Sequence, residues 1–200
     1  MPRALRTCAV LAIAVGCLGC GGKVPPTQFY VLDVAAPSPA ADRLGHTAVL
    51  MPVRARRVIA QGRVVYRESS EEVGFYEYHR WAEDPEDTVA DSFRREAMAR
   101  GSFQSIVPFD GRTTADFVLR GELLRLEEID YSGPVRAEAE ISLELVDVPT
   151  GRVVWASTAS NSENVGASDV RSVVSGMSAA ARRCIEQLAD QLDRHMRTLD

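Results

Sequence analysis

The chain has 200 residues, with 23 Lys and Arg against 28 Asp and Glu for a formal charge of −5, and a hydrophobic content of 46%. A single domain with a core beneath a sheet fits that length, and a large multidomain enzyme does not. The acidic balance gives no support to a nucleic-acid or phosphate-binding surface, and 26% charged residues beside that hydrophobic content excludes a disordered or collagen-like chain. Lys23 is the one lysine, so the cations are guanidinium groups suited to forked pairing with carboxylates, and Schiff-base chemistry has little to draw on.

Arg3 and Arg6 precede the apolar run Cys8-Ala-Val-Leu-Ala-Ile-Ala-Val15, which gives way to Gly16-Cys-Leu-Gly-Cys20. A basic start, a short apolar run and small residues describe a secretory signal. Thr7 to Gly19 is 13 residues, short of the ~20 that an α-helix needs to cross a bilayer. A small residue directly before a cysteine resembles the lipobox of bacterial lipoproteins, whose cysteine receives a diacylglycerol and becomes the first residue of the mature chain. Cys17 follows Ala14-Val15-Gly16 and Cys20 follows Cys17-Leu18-Gly19; both qualify, so residues 1–19 are read as signal with cleavage before Cys17 or Cys20. A redox or metal half-site at Cys17-x-x-Cys20 would need a second ligand pair, and the sequence offers none. Loss of the signal removes Arg3 and Arg6 and no acid, leaving 21 bases against 28 acids, a formal −7. Acyl chains at about 0.8 kcal/mol per buried CH₂ then supply the membrane affinity without a basic patch.

Residues 20–27, with Pro25 and Pro26, have the character of a short extended tether. The folded domain is expected over 28–200. Phe29–Val34 is β-branched and aromatic and is stopped by Ala35-Ala-Pro-Ser-Pro39, which predicts a strand. His46–Val53 has the length of a buried strand, and Arg54–Gln61 that of a turn or short helix. Arg63–Arg67 and Gly74–His79 are two short strands around the polar turn Glu68–Glu72. Asp84-Pro85, with Glu86 and Asp87 in the first turn, starts a helix that runs to about Arg100 and stops at Gly101, its inner face marked by Val89, Phe93 and Ala97. A short strand at Phe103–Pro108 follows.

Alternation of Ala137, Ala139, Ile141, Leu143 and Leu145 with Arg136, Glu138, Glu140, Ser142 and Glu144 predicts an antiparallel strand with one buried and one wet face. Its partners are Phe117–Leu126, whose apolar phase shifts between Leu123 and Leu124 as at a bulge, and Arg152–Thr158; the three form a meander. The chain closes with a helix from about Ser168, capped by that Ser or Asp169, carrying an apolar stripe from Val170 to Met196. About 30 residues at 1.5 Å each would reach ~45 Å, so either Gly176 kinks this helix or its tail leans on another subunit. The expected class is α+β, a mostly antiparallel sheet covered by two main helices in a single domain.

The chemistry expected of this chain is non-catalytic. His46, His79 and His195 fall on three elements with no ligand-spaced neighbour, so no metal site is expected. Gly-x-Ser-x-Gly, phosphate-loop and dinucleotide glycine patterns are lacking in the mature chain. Glu138, Glu140 and Glu144 could serve as paired carboxylates in a hydrolase, but a charged solvated sheet face accounts for them more simply. Cys184, the thiol of the folded part, fits a small core residue. Arg80-Trp81, after the aromatic Phe75–Tyr78 stretch, could anchor a partner; the plainer role for Trp81 is to close the core beneath the helix that follows.

Taken together these segments resemble the ABC-type transport auxiliary lipoproteins, the group that includes paraquat-inducible protein C. The likeness lies in the lipobox cysteine, Phe29-Tyr30-x-Leu32, Ala48-Val-Leu-Met-Pro-Val53, Val64-Val-Tyr-Arg67 and Tyr76-x-x-x-Arg80-Trp-Ala-Glu83. It continues in Gly101-x-Phe103, Ala115-Asp116 and the terminal helix. The polar opening Asp84-Pro-Glu-Asp87 departs from it. The resemblance implies a non-catalytic partner of a lipid-transport machine with Mce-type (MlaD-like) periplasmic proteins, with no cofactor beyond the covalent lipid. The candidate partner-contact residues are Phe29, Tyr30, Arg80 and Trp81, and the resemblance leaves room for homo-oligomers. Neither Leu18 nor Gly21 is the Asp that retains lipoproteins at the inner membrane, which implies the outer membrane, facing the periplasm. An outer-membrane assembly or secretion accessory lipoprotein is the alternative.

Overall fold

A computed structural model describes residues 24–34, 37, 42–166 and 169–199. Cys17, Cys20, the first part of the tether and Ser168 lie outside the described residues. Short strands come first: β1 (Gln28–Tyr30), β2 (Thr47–Leu50), β3 (Arg54–Ala55), a 3₁₀ turn at Ile59–Gln61, β4 (Arg63–Arg67) and β5 (Val73–Trp81). Helix α1 (Pro85–Arg100) and β6 (Ser105–Pro108) lead to the long meander β7 (Phe117–Ile129), β8 (Arg136–Asp147) and β9 (Arg152–Asn164), and α2 (Val170–Met196) ends the fold.

All nine strands join one sheet around β7. On one side β8 and then β9 pair antiparallel. On the other side β2, β3 and β4 take successive stretches of β7 in parallel, at Phe117–Leu119, Glu122–Leu123 and Glu128–Ile129. The sheet therefore forks: β2 carries β6 as a parallel neighbour, while β4 carries β5 antiparallel and β5 carries β1 parallel. The expected α+β class with two main helices holds. The long ladders are antiparallel, and the short strands add parallel pairs, so the sheet is mixed.

The register of β7 on β8 slips between Leu123 and Arg125, the bulge expected from the change of apolar phase. Its effect is to keep Leu119, Leu123 and Leu126 all buried although the period of two is broken between them. On β8, Ala137, Ala139, Ile141, Leu143 and Leu145 are buried against α2, whose stripe Val173, Met177, Ala181, Cys184, Leu188 and Leu192 is likewise buried. Asp169 caps α2, its side chain accepting from the Ser172 N–H at 3.1 Å and the Ser172 hydroxyl at 2.7 Å.

Gly176 does not interrupt α2. A Cβ there would come within 2.9 Å of the Ala137 Cβ, so the glycine lets the helix backbone settle onto β8. The length of α2 is accommodated within the chain, because α1 lies beside its C-terminal half. Arg100 reaches Asp190 at 3.3 Å, the Ser102 hydroxyl donates to Asp193 at 3.1 Å, and Arg197 donates to the Arg100 carbonyl at 3.2 Å. Helix α1 has the expected bounds, with Pro85 in its first turn and Gly101 left-handed at φ 77° as its stop. Val89, Phe93 and Ala97 form its buried face, joined by Pro85 itself despite the polar opening.

Candidate functional site

The arm made of β4, β5 and β1 carries the residues singled out for contact. Parallel register sets Phe29 opposite Arg80 and Tyr30 opposite Trp81, and alternation along a strand sends the two pairs to opposite faces. Phe29 is 64% exposed and Trp81 only 6%, while Tyr30 and Arg80 are half-buried. The structure thus brings the four together but divides them. Phe29 and Arg80 look outward, and Tyr30 and Trp81 look inward onto the core.

The inner face of this arm is an aromatic cluster. Tyr30 stacks on His79 with centroids 5.7 Å apart, His79 meets the edge of Tyr76 at 5.6 Å, and Tyr76 lies 5.0 Å from Tyr66. The Tyr30 hydroxyl donates to Gln28 Oε1 at 2.8 Å and lies 2.9 Å from His79 Nδ1. With its one proton directed to Gln28, the hydroxyl is placed to accept from an Nδ1–H tautomer of His79. Gly74 makes room for the ring of Tyr66, which a Cβ would meet at 2.2 Å and push aside. Trp81 closes the core below the start of α1, its backbone N–H donating to the Gly62 carbonyl at 2.9 Å.

Beneath the cluster lies a buried carboxyl that the sequence reading passed over. Glu128, 4% exposed, accepts from the Tyr76 hydroxyl at 2.6 Å. Burial pushes the Glu128 carboxyl above its ordinary range, against the pull of the Tyr76 hydrogen bond. Tyr76 is raised too, by burial first and then by its bond to Glu128 and that group's charge. A signal for this site was present in Leu126-Glu-Glu-Ile129, where two adjacent acids stand near the end of a strand whose side chains alternate between two faces, so that one of them must face inward. Neither of the two large surface clefts is lined by Glu128; its environment is that of a buried structural pair.

The outer face of the meander is charged. Glu138 accepts from Arg125 at 3.0 Å and from Arg136 at 2.8 Å, and Glu140 lies 3.8 Å from Arg125. Glu127, 3% exposed, binds Arg67 at 2.8 Å and Arg125 at 3.4 Å. Each of these carboxylates is engaged by guanidinium groups, which is not the arrangement of two carboxyls left free to work as an acid and base pair. Further along the same face, an open cleft of about 540 Å³ is bordered by Met51, Arg54, Arg120, Glu122 and Glu144.

Cys184 is fully buried, its sulfur accepting from the Asn161 amide and directed at the Ala139 carbonyl, both at 3.4 Å. Burial pushes the thiol up, away from the thiolate a nucleophile needs. His46 packs edge-on against Phe117 at 5.4 Å, and His79 stacks on Tyr30 in the aromatic arm. Among the described residues no group of three or more His, Cys, Asp or Glu could hold a metal ion, and no helix is long and apolar enough to cross a membrane.

The protein XCC0632 from Xanthomonas campestris superposes with a TM-score of 0.75 at 19% identity, over 86% of this chain and 98% of that one. A PelC dodecamer subunit from Paraburkholderia phytofirmans gives 0.51 at 16% identity over 80% and 96%. The hypothetical protein CT253 from Chlamydia trachomatis gives 0.51 at 12% over 76% and 98%. At these identities the likeness is one of fold. A sequence search of curated proteins finds no match. The model of one family, described as the ABC-type transport auxiliary lipoprotein component, matches residues 30–192, from the inward-facing Tyr30 through the aromatic arm and the meander to Leu192 on the buried stripe of α2. The chain belongs to that family.

Proposed function

We propose that this protein is a non-catalytic lipoprotein, held by acyl chains on Cys17 or Cys20 to the outer membrane and facing the periplasm. There it serves an ABC-type transporter of lipids or other hydrophobic compounds through a Mce-type periplasmic protein. The family match over 30–192 carries the reading. It is supported by a sheet face on which Glu138 and Glu140 are engaged by arginines and by a buried thiol at Cys184. Of the four residues expected at a partner contact, Phe29 and Arg80 are the pair that looks outward, and Tyr30 and Trp81 support them from the inner face. Self-association belongs to the proposal as well, since the PelC subunit that shares the fold assembles as a dodecamer.

Two measurements test it. Metabolic labelling with a fatty-acid analogue should mark the wild type and be lost in either Cys17→Ser or Cys20→Ser; label persisting in the double variant would end the lipoprotein reading. The purified, detergent-solubilised chain should retain a Mce-type protein encoded beside it, and should not turn over ester or glycoside panels. Turnover that disappears in Glu140→Gln would replace the adaptor with a hydrolase.

A further inference from the structure

We propose that the outward face of β1 and β5 is the surface by which the domain lies on the phospholipid bilayer that holds its anchor. The inference rests on lipidation at Cys17 or Cys20. Val24, Phe29 and Val31 are 73%, 64% and 56% exposed. These three lead directly from the tether and are the most exposed large apolar side chains among the described residues, although Phe109, Val148 and Val153 are also exposed elsewhere in the fold. Val31 follows directly on β1, and Arg80 stands opposite Phe29 in register. Arg63, opposite Arg80 on β4, holds its guanidinium 6.0 Å from the centre of the Phe75 ring. Apolar and aromatic groups bordered by arginines match the headgroup boundary of an anionic bilayer, where the rings enter and the guanidinium groups meet phosphate.

Chain length and charge both favour a lipid surface as the occupant. Eight peptide steps separate Cys20 from Gln28 and eleven separate Cys17 from it, about 27 and 38 Å at full extension. The body therefore cannot stand away from the membrane by much more than the length of its own α2, about 40 Å. β1 is the outermost strand of its arm, so no part of the sheet lies beyond it on the side where the tether joins. The mature chain carries a formal −7, and an anionic membrane repels such a body as a whole while attracting the Arg63 and Arg80 edge. That combination orients the domain as well as holding it.

The test uses the full chain reconstituted in vesicles of phosphatidylethanolamine and phosphatidylglycerol, with the photoreactive p-benzoyl-phenylalanine in place of Phe29, or of Val154 on β9 at the far side of the sheet. After flotation and irradiation, mass spectrometry should find phospholipid adducts at position 29 and a loss of adduct at 154. Replacing phosphatidylglycerol by phosphatidylcholine should reduce the yield at 29. A chain that floats but gives equal lipid adducts at both positions, or none at 29, overturns this inference and leaves the anchor standing. So does a position-29 probe that captures another protein or a second copy in place of lipid. A chain that does not float overturns the anchor, and this inference with it.

Discussion

Trp81 is where backbone and core meet in the aromatic arm. Its N–H closes onto Gly62, and the residue, 6% exposed, belongs to the buried cluster that also holds Leu32, Val89 and Phe93. Trp81→Ala should cost about 3–5 kcal/mol in a denaturant titration, as large aromatic deletions in a core do; a loss well below 1 kcal/mol would mean the ring is not a structural support. Glu128 gives a pH signature. Its folded pKa is raised above the unfolded value near 4.5, so the native state holds the proton more tightly. Its contribution is fully present below that value and is lost as pH rises through the raised one. Asp110, Asp116 and Asp169, all lowered by hydrogen bonds, act in the opposite sense, losing stability as pH falls. Comparing wild type with Glu128→Gln isolates the buried group: the decline of the unfolding midpoint above pH 4.5 should flatten in the variant, which still accepts from Tyr76. Parallel curves for the two proteins would remove Glu128 as the source.

At the scale of elements, the parts legible in the sequence were those whose cause is local. The meander announces itself through alternation on β8 and the turns at Ser132-Gly-Pro134 and Pro149-Thr-Gly151, and the slip at Leu124 reveals the bulge. Proline at one end and glycine at the other bound α1 as expected. Parallel pairing leaves no such mark. β2, β3 and β4 meet β7 across long connections, and nothing in Thr47–Leu50 specifies a neighbour seventy residues away. The division of Phe29 and Arg80 from Tyr30 and Trp81 depends on another parallel pairing, that of β1 with β5, so it could not be read in advance, although the four residues themselves could. The helix caps and close approaches are separately testable. Asp169→Ala should cost about 1 kcal/mol through loss of the bond to Ser172. Gly176→Val should cost about 1–3 kcal/mol by forcing α2 off Ala137, measured as a shift in denaturation midpoint; an unchanged midpoint would show that the approach is not tight.

Across the whole molecule, one buried cluster extends from Trp81 and Phe93 through the sheet to Leu188 and Met196. The fork in the sheet does not divide it, because both branches spring from β7 and both helices rest on the same cluster. A shared core predicts a single cooperative transition. Trp81→Phe leaves Trp155 on β9 as the fluorescent reporter, and Trp155→Phe leaves Trp81 on the arm. After allowance for the change in stability, each should report the same transition as the far-UV circular dichroism of its own variant. If the arm melted ahead of the meander, the Trp81 signal would move first. Leu188→Ala, at the junction of helix and sheet, should lower both signals together by about 2–5 kcal/mol.

The attachment of β1 has a mechanical meaning. Three residues in parallel register hold it to β5, continued by the Ala82 N–H donating to the Tyr30 carbonyl at 2.7 Å. The Asp33 N–H then donates to Ser178 Oγ on α2 at 3.2 Å. A tug on the leading end of the chain loads those few bonds first, and beyond them the buried Leu32 and the latch on the helix. The strand can peel and reseat while the remainder keeps its shape, a fuse that takes up strain before it reaches the body.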